Sequence, residues 1–161
     1  MVDPSRASNK NYTITKATAE DVPIIQSMVE AAYSKYIERI GKRPAPMDED
    51  YYQIIHTQNV LVLKDKNNLV VGSIVLEFDP ASNSMKVNNL VVHPSAQGHG
   101  YGRVMMNCAE DVARSQNCVA VTLYTNVKMY ENLGVYLKMG FSETERKNQD
   151  GFDRVFFRKD L

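Results

Sequence analysis

Apolar and polar residues alternate over Tyr12–Lys16, which predicts a short β-strand. The period then lengthens. Val22, Ile25, Met28, Val29, Ala32, Tyr33, Tyr36, Ile37 and Ile40 recur at helical spacing, so a single helix with one buried face is expected up to Ile40. Thr18 supplies its cap, Glu20 and Asp21 its early acids, Pro23 a first-turn proline, and Gly41 its stop. A break containing Pro44 and Pro46 follows. Asp48, Glu49 and Asp50 are expected to open a shorter helix that runs to about His56. Residues 60–63 and 69–78 read as a hairpin across a Lys-Asp-Lys-Asn-Asn turn, with Gly72 marking a bulge or a close backbone approach. Residues 85–92 form the third strand of this meander.

Beyond Pro94 the pattern changes. Residues 101–116 place Val104, Met105, Cys108, Ala109, Val112 and Ala113 on one helical face, and residues 119–125 form a nearly continuous apolar strand suited to a buried, partly parallel position. Residues 128–139 read as a helix stopped by Gly140. Residues 141–147 and 153–159 are strands joined through Asn-Gln-Asp-Gly. The order β-α-α-β-β-β-α-β-α-β-β predicts a mixed sheet with helices on its faces. Residues 1–10 read as a flexible tail and residues 11–161 as one domain, a size that supports a single core.

Composition narrows the function. Nineteen basic residues balance nineteen acidic ones, so no strong net field points to nucleic acid or an anionic membrane. No apolar run reaches the ~18–20 residues of a membrane span, and the N-terminus lacks a signal core. Cys108 and Cys118 make neither a disulfide scaffold nor a zinc site, so reduced thiols in a cytoplasmic protein are expected, with no metal.

The chemistry concentrates where the strand at 85–92 runs through a loop into the helix at 101. Gly98, Gly100 and Gly102 alternate there. A helix start offers unpaired N–H groups and a positive dipole end, and glycine lets backbone approach a phosphate. The spacing does not fit Walker A, because Arg103 and Val104 follow Gly102. Nor does it fit the dinucleotide fingerprint, which needs glycine where Arg103 or Met105 stands.

Gln97-x-x-Gly100-x-Gly102, after a strand ending in Val-Val-His-Pro, resembles the acyl-CoA pyrophosphate loop of the GCN5-related N-acetyltransferase (GNAT) family. Downstream, Asn132-x-x-x-Tyr136-Leu-Lys-Met-Gly-Phe141 is similar to that family's Tyr-Glu-Lys-Leu-Gly-Phe segment, in the family's order and with a strand between. The resemblance implies a mixed α/β sheet of about seven strands, splayed between the fourth (85–92) and fifth (119–125), with about four helices on its faces. It implies acetyl-CoA in the gap. Backbone of Leu90, Val91 and Val92 would hold the pantetheine, and Gln97, Gly98, His99, Gly100, Tyr101, Gly102 and Arg103 the pyrophosphate. Direct transfer to an amine of a small molecule or protein is implied, and a homodimer stays open.

Such a transfer poses two proton problems. An alkylammonium of pKa about 10.4 is nucleophilic in only about one molecule in 2,500 at pH 7, a deficit of about 4–5 kcal/mol. The leaving thiolate, of pKa near 8.5, needs a donor. Tyr136 matches the family's tyrosine acid, although Met129, Leu133 and Leu137 share its helical face and a plain core role is open. Many relatives carry a strand glutamate where this chain has Asn88 or Asn89, so Asn88 is expected to act by holding a water. Glu77, the Asp48–Asp50 acids and His93 are other base candidates. Asn132, one turn before Tyr136, would hold the CoA arm or cap the opened strand. The second reading is a non-catalytic acyl-CoA-binding sensor.

Overall fold

The computed structural model describes residues 7–9, through their backbone alone, and residues 11–161. The strands are β1 (Ala7–Asn9), β2 (Tyr12–Lys16), β3 (Asn59–Asp65), β4 (Val70–Asp79), β5 (Ser84–Val92), β6 (Ala120–Asn126), β7 (Ser142–Gln149) and β8 (Phe152–Asp160). They join in one sheet of order β1-β2-β3-β4-β5-β6-β8-β7. Every neighbouring pair is antiparallel except β5 and β6. Of the tail expected over residues 1–10, residues 1–6 and 10 lie outside the described residues. Ala7–Asn9 pairs with β2 and adds an eighth strand to the expected seven.

The helices are α1 (Val22–Tyr33), α2 (Lys35–Ile40), α3 (Tyr51–Thr57), α4 (Tyr101–Ser115) and α5 (Tyr130–Lys138). The single helix expected up to Ile40 is therefore two. The hydrogen-bond ladder changes step at Ser34: Ser34 N–H reaches Glu30 four residues back, whereas Ile37 N–H bonds the Ser34 carbonyl at 3.2 Å. The apolar period continues across this break, because Tyr36 is buried as the α1 residues are. The acids at 48–50 do not open the next helix either. Ala45–Asp48 is a 3-10 turn, and Asp50 caps α3 by accepting from Gln53 N–H at 3.2 Å.

Strand alternation sorts the core onto two faces. Leu61 and Leu63 of β3, with Ile74 and Leu76 of β4, pack under α4 with Met105, Met106, Ala109 and Val112. Val60, Val62 and Val75 point the other way and meet Val22, Ile25, Met28 and Val29 of α1 and Tyr51 of α3. Each fully buried side chain of this size contributes about 1.5–3 kcal/mol. Gly72 shows both features expected of it. A register shift falls beside it on β3 and β4, and a Cβ there would lie 2.7 Å from Met105 Cε. The edge strand β7 is exposed throughout and carries Glu143, Glu145, Arg146 and Lys147, charges that disfavour pairing with another sheet. Among the described residues no helix is long and apolar enough to cross a membrane.

Candidate active site

The sheet opens between β5 and β6. The two strands pair only from Ser84 to Val87, opposite Ala120 to Leu123. Past that point β6 continues with β8 as far as Asn126, while β5 continues with β4 as far as Val92. The splay expected between the fourth and fifth of seven strands is thus the gap between β5 and β6. It leaves the β5 edge at Leu90, Val91 and Val92 without a strand on the β6 side. A register shift opposite Val75 and Leu76 marks its start, with Asn88 as the inserted residue. Such bulges bend a strand and re-aim its side chains.

Below the gap the chain turns into α4. His93 ends β5, bonding the Val71 carbonyl through its N–H, and its ring is tied to Ser95 at 2.7 Å. That pairing gives His93 a structural task in the turn Pro94–Ala96. Gln97 donates back to the Val92 carbonyl at 3.3 Å. Gly98 and Gly100 then take φ of 86° and 79°, which glycine adopts without strain. The N–H groups from Gly98 to Arg103 donate to no partner among the described residues; the first bond of α4 is that of Val104 to the Gly100 carbonyl, at 3.1 Å. A Cβ built at Gly98, Gly100 or Gly102 would meet nothing within 4 Å, so the space on the side-chain side of these residues is open. Unpartnered donors at a helix start are the groups that bind an anion. Arg103 leans on the Lys138 carbonyl at 3.5 Å, and the His99 ring lies 5.8 Å from that of Tyr101.

Above the gap lies a cavity of about 240 Å³ lined by side chains of every surrounding element. Tyr136 of α5 is half-buried on its wall. Its ring packs 5.7 Å from Phe157 and 6.1 Å from Phe141, so it is core and cavity wall together. Its hydroxyl has no hydrogen-bond partner among the described residues. Burial pushes its pKa up to about 12, with Tyr36 adding to the effect, so the phenol keeps its proton. Asn132, one turn earlier, lines the cavity and reaches Thr125 on the opened strand β6 at 3.5 Å.

The bulge presents both asparagines to the cavity. Asn88 donates through Nδ2 to Gln58 at 2.8 Å and to Glu77 at 3.2 Å. A carboxylate only accepts, so Nδ2 must face Glu77. Oδ1 is then left without a protein donor among the described residues. Asn89 lies between two phenols: Tyr33 donates to its Oδ1 at 2.9 Å, and its Nδ2 donates to Tyr51 at 3.1 Å. The acids separate. Asp48 is held by Arg43 at 2.9 Å, Asp50 caps α3, and Glu77 does not line the cavity. Glu49 is the one carboxylate on its wall among the described residues, and its charge helps hold the Tyr51 phenol above its ordinary value. Arg154 also lines it, buried against the Tyr124 ring at 4.2 Å and bonded to Gln149 at 2.8 Å. No spacing in the sequence marks Arg154, Gln58 or the Asn89 chain, because all depend on contacts between distant segments. Among the described residues no group of His, Cys, Asp and Glu is placed to hold a metal ion.

A mixed sheet that parts beside a glycine loop, with an amide row below and a polar cavity above, is a fold shared with solved acetyltransferases. Residues 25–141 match the sequence model of the acetyltransferase (GNAT) family, and the chain belongs to that family. It is 30% identical over 78 residues to an IAA acetyltransferase of Azospirillum brasilense, covering 48% of this chain and 51% of that protein. It is 32% identical over 77 residues to a mycothiol acetyltransferase of Jonesia denitrificans, covering 48% of this chain and 24% of that protein. The chain thus spans about half of one of these curated relatives and about a quarter of the other. A crystal structure of a GNAT family acetyltransferase from Elizabethkingia anophelis with acetyl-CoA bound shares the fold at a TM-score of 0.71 and 21% identity, covering 95% of this chain and 100% of that one.

Proposed function

We propose that this protein is an N-acetyltransferase that moves an acetyl group from acetyl-CoA directly to an amine of a small molecule or protein. One observation carries the proposal: the unpartnered N–H groups from Gly98 to Arg103 lie directly downstream of the unpaired β5 edge. The fit is to a ligand with a diphosphate at one end and a chain of amides at the other. Charge-assisted hydrogen bonds of this kind contribute about 1.5–3 kcal/mol each. Acetyl-CoA, when bound, supplies a thioester carbon already activated toward an amine.

The chain's own residues do the rest. Leu90, Val91 and Val92 offer backbone donors and acceptors along the open strand edge, as another strand would. Asn132, whose side chain reaches that of Thr125 on β6, holds the CoA arm or caps the opened strand. Tyr136 Oη, neutral and unpartnered, donates its proton or a hydrogen bond to the departing sulfur. Asn88 Oδ1 holds a water by accepting from it, and that water relays the ammonium proton out to bulk water. Glu49 offers a carboxylate on the same cavity. Tyr33, Tyr51 and Tyr124 line the acceptor side with aromatic faces that suit a cationic amine.

Mixing the protein with acetyl-CoA and a panel of amines, and following free thiol, tests the proposal. The expected result is amine-dependent thiol release. CoA binding without turnover across the panel makes the protein an acyl-CoA sensor instead.

A further inference from the structure

One polar chain in the cavity carries hydroxyl and amide groups that the transfer as described does not use. It runs from Tyr33 on α1, through Asn89 on the β5 bulge and Tyr51 on α3, to the carbonyl of Pro46. Its polarity follows from its last member. The Tyr51 hydroxyl donates to the Pro46 carbonyl at 2.7 Å, and a carbonyl has no proton to give in return. Tyr51 Oη must therefore accept from Asn89, which fixes the amide with Nδ2 toward Tyr51 and Oδ1 toward Tyr33. Oδ1 only accepts, so the Tyr33 proton is committed as well. Both hydroxyl protons on the chain are taken, and Tyr33 Oη has only lone pairs left for the cavity.

We propose that Tyr33 Oη binds the acceptor by accepting an N–H from the incoming amine, with Asn89, Tyr51 and the Pro46 carbonyl as positioning groups that enforce this polarity. This rests on the acetyl-transfer reading of the same cavity. Tyr136 of α5, on the wall of the same cavity, is the complement, since its hydroxyl is unpartnered among the described residues and keeps a proton to give. The two phenols thus take opposite roles, one toward the nitrogen that arrives and one toward the sulfur that leaves. Tyr33 only orients. Burial, with Tyr136, Tyr51, Tyr36 and Tyr124 around it, holds its phenol well above the ordinary value and keeps it neutral. An amine that gives one N–H to Tyr33 keeps its lone pair for another direction, as attack requires. The site therefore takes acceptors that still carry an N–H when neutral.

The test is steady-state kinetics with an amine that the unaltered protein acetylates. Tyr33→Phe keeps the ring and removes Oη; it is expected to raise the amine KM roughly three- to tenfold, the worth of one hydrogen bond, and to leave the acetyl-CoA KM unchanged. Tyr51→Phe leaves Tyr33 in place but frees Asn89 to turn over, so the amine KM is expected to rise in the same direction. The double variant is expected to be no worse than Tyr33→Phe alone, because Tyr51 acts only through Tyr33. Additive losses, an acetyl-CoA KM rising in step, or an unchanged amine KM in Tyr33→Phe overturns the inference while turnover itself stands. Absence of turnover with every amine overturns the transfer reading, and this inference with it.

Discussion

The Tyr136 hydroxyl combines two properties that a plain core tyrosine lacks: a cavity to face and no partner to satisfy it. Its pKa of about 12 keeps it a donor at any pH where the protein would work. Tyr136→Phe is expected to lower the transfer rate roughly ten- to a thousandfold, the span of acid catalysis, with little change in CoA affinity. Turnover and a CoA titration on the same sample check it. Asn88 is proposed to act earlier, through a water that relays the ammonium proton. Asn88→Ala is expected to depress activity most at low pH and least near about pH 10, where free amine is abundant. A pH profile of the variant-to-native ratio reads this, and a flat ratio removes the held water. At this scale the sequence was partly legible. Tyr136 is marked by its motif, and Asn88 by the place where a glutamate is usual. That Asn88 and Asn89 both face the cavity was not legible, because adjacent strand residues normally face opposite ways. The bulge that gathers both depends on how β4 pairs with β5.

At the scale of elements, the glycine loop and the contact of α4 with β4 set the geometry. Gly102 is helical, and a Cβ there meets nothing. Gly102→Val therefore adds bulk before the amides without the backbone strain that a substitution at Gly98 or Gly100 would bring. It is expected to weaken CoA binding at least tenfold, about 1.4 kcal/mol, while thermal unfolding shifts little. Isothermal titration and a melting curve separate the two effects. Gly72 makes the opposite case. A Cβ there meets Met105 Cε at 2.7 Å and the Val91 carbonyl at 3.3 Å, and the carbonyl cannot step aside. Gly72→Ala is expected to cost about 1–3 kcal/mol in denaturant unfolding. Most elements could be read from hydrophobic period, since α1 and α4 each bury one face and β3 with its neighbours buries two, while β7, exposed throughout, could be read only from the turn that joins it to β8. The break at Ser34 could not, because it alters hydrogen bonding without disturbing the apolar spacing. The acids at 48–50 misled for a similar reason: Asp50 alone caps the helix, and Asp48 pairs with Arg43.

For the whole molecule, the tyrosines around the cavity couple stability to alkaline pH. Tyr136, Tyr33 and Tyr51 all have raised pKa values, burial being the first cause in each. Between the ordinary value near 10 and the folded value near 12 for Tyr136, the unfolded chain releases a proton that the folded chain keeps. Stability therefore holds below about pH 10 and falls as pH rises above it, by up to about 1.4 kcal/mol per pH unit for each such phenol. Melting temperatures from neutral to alkaline pH check the sign; a flat profile contradicts the burial of these hydroxyls. In the proposed function the parted sheet, the amide row beneath it and the phenols above it serve one end, the placement of a thioester. The most direct measurement is a diffraction structure of the protein with CoA bound. The expected result places the diphosphate on the N–H groups of residues 98–103, the pantetheine along Leu90, Val91 and Val92, and the sulfur within hydrogen-bond reach of Tyr136 Oη. CoA seated outside the gap between β5 and β6, or a sulfur remote from that hydroxyl, contradicts it.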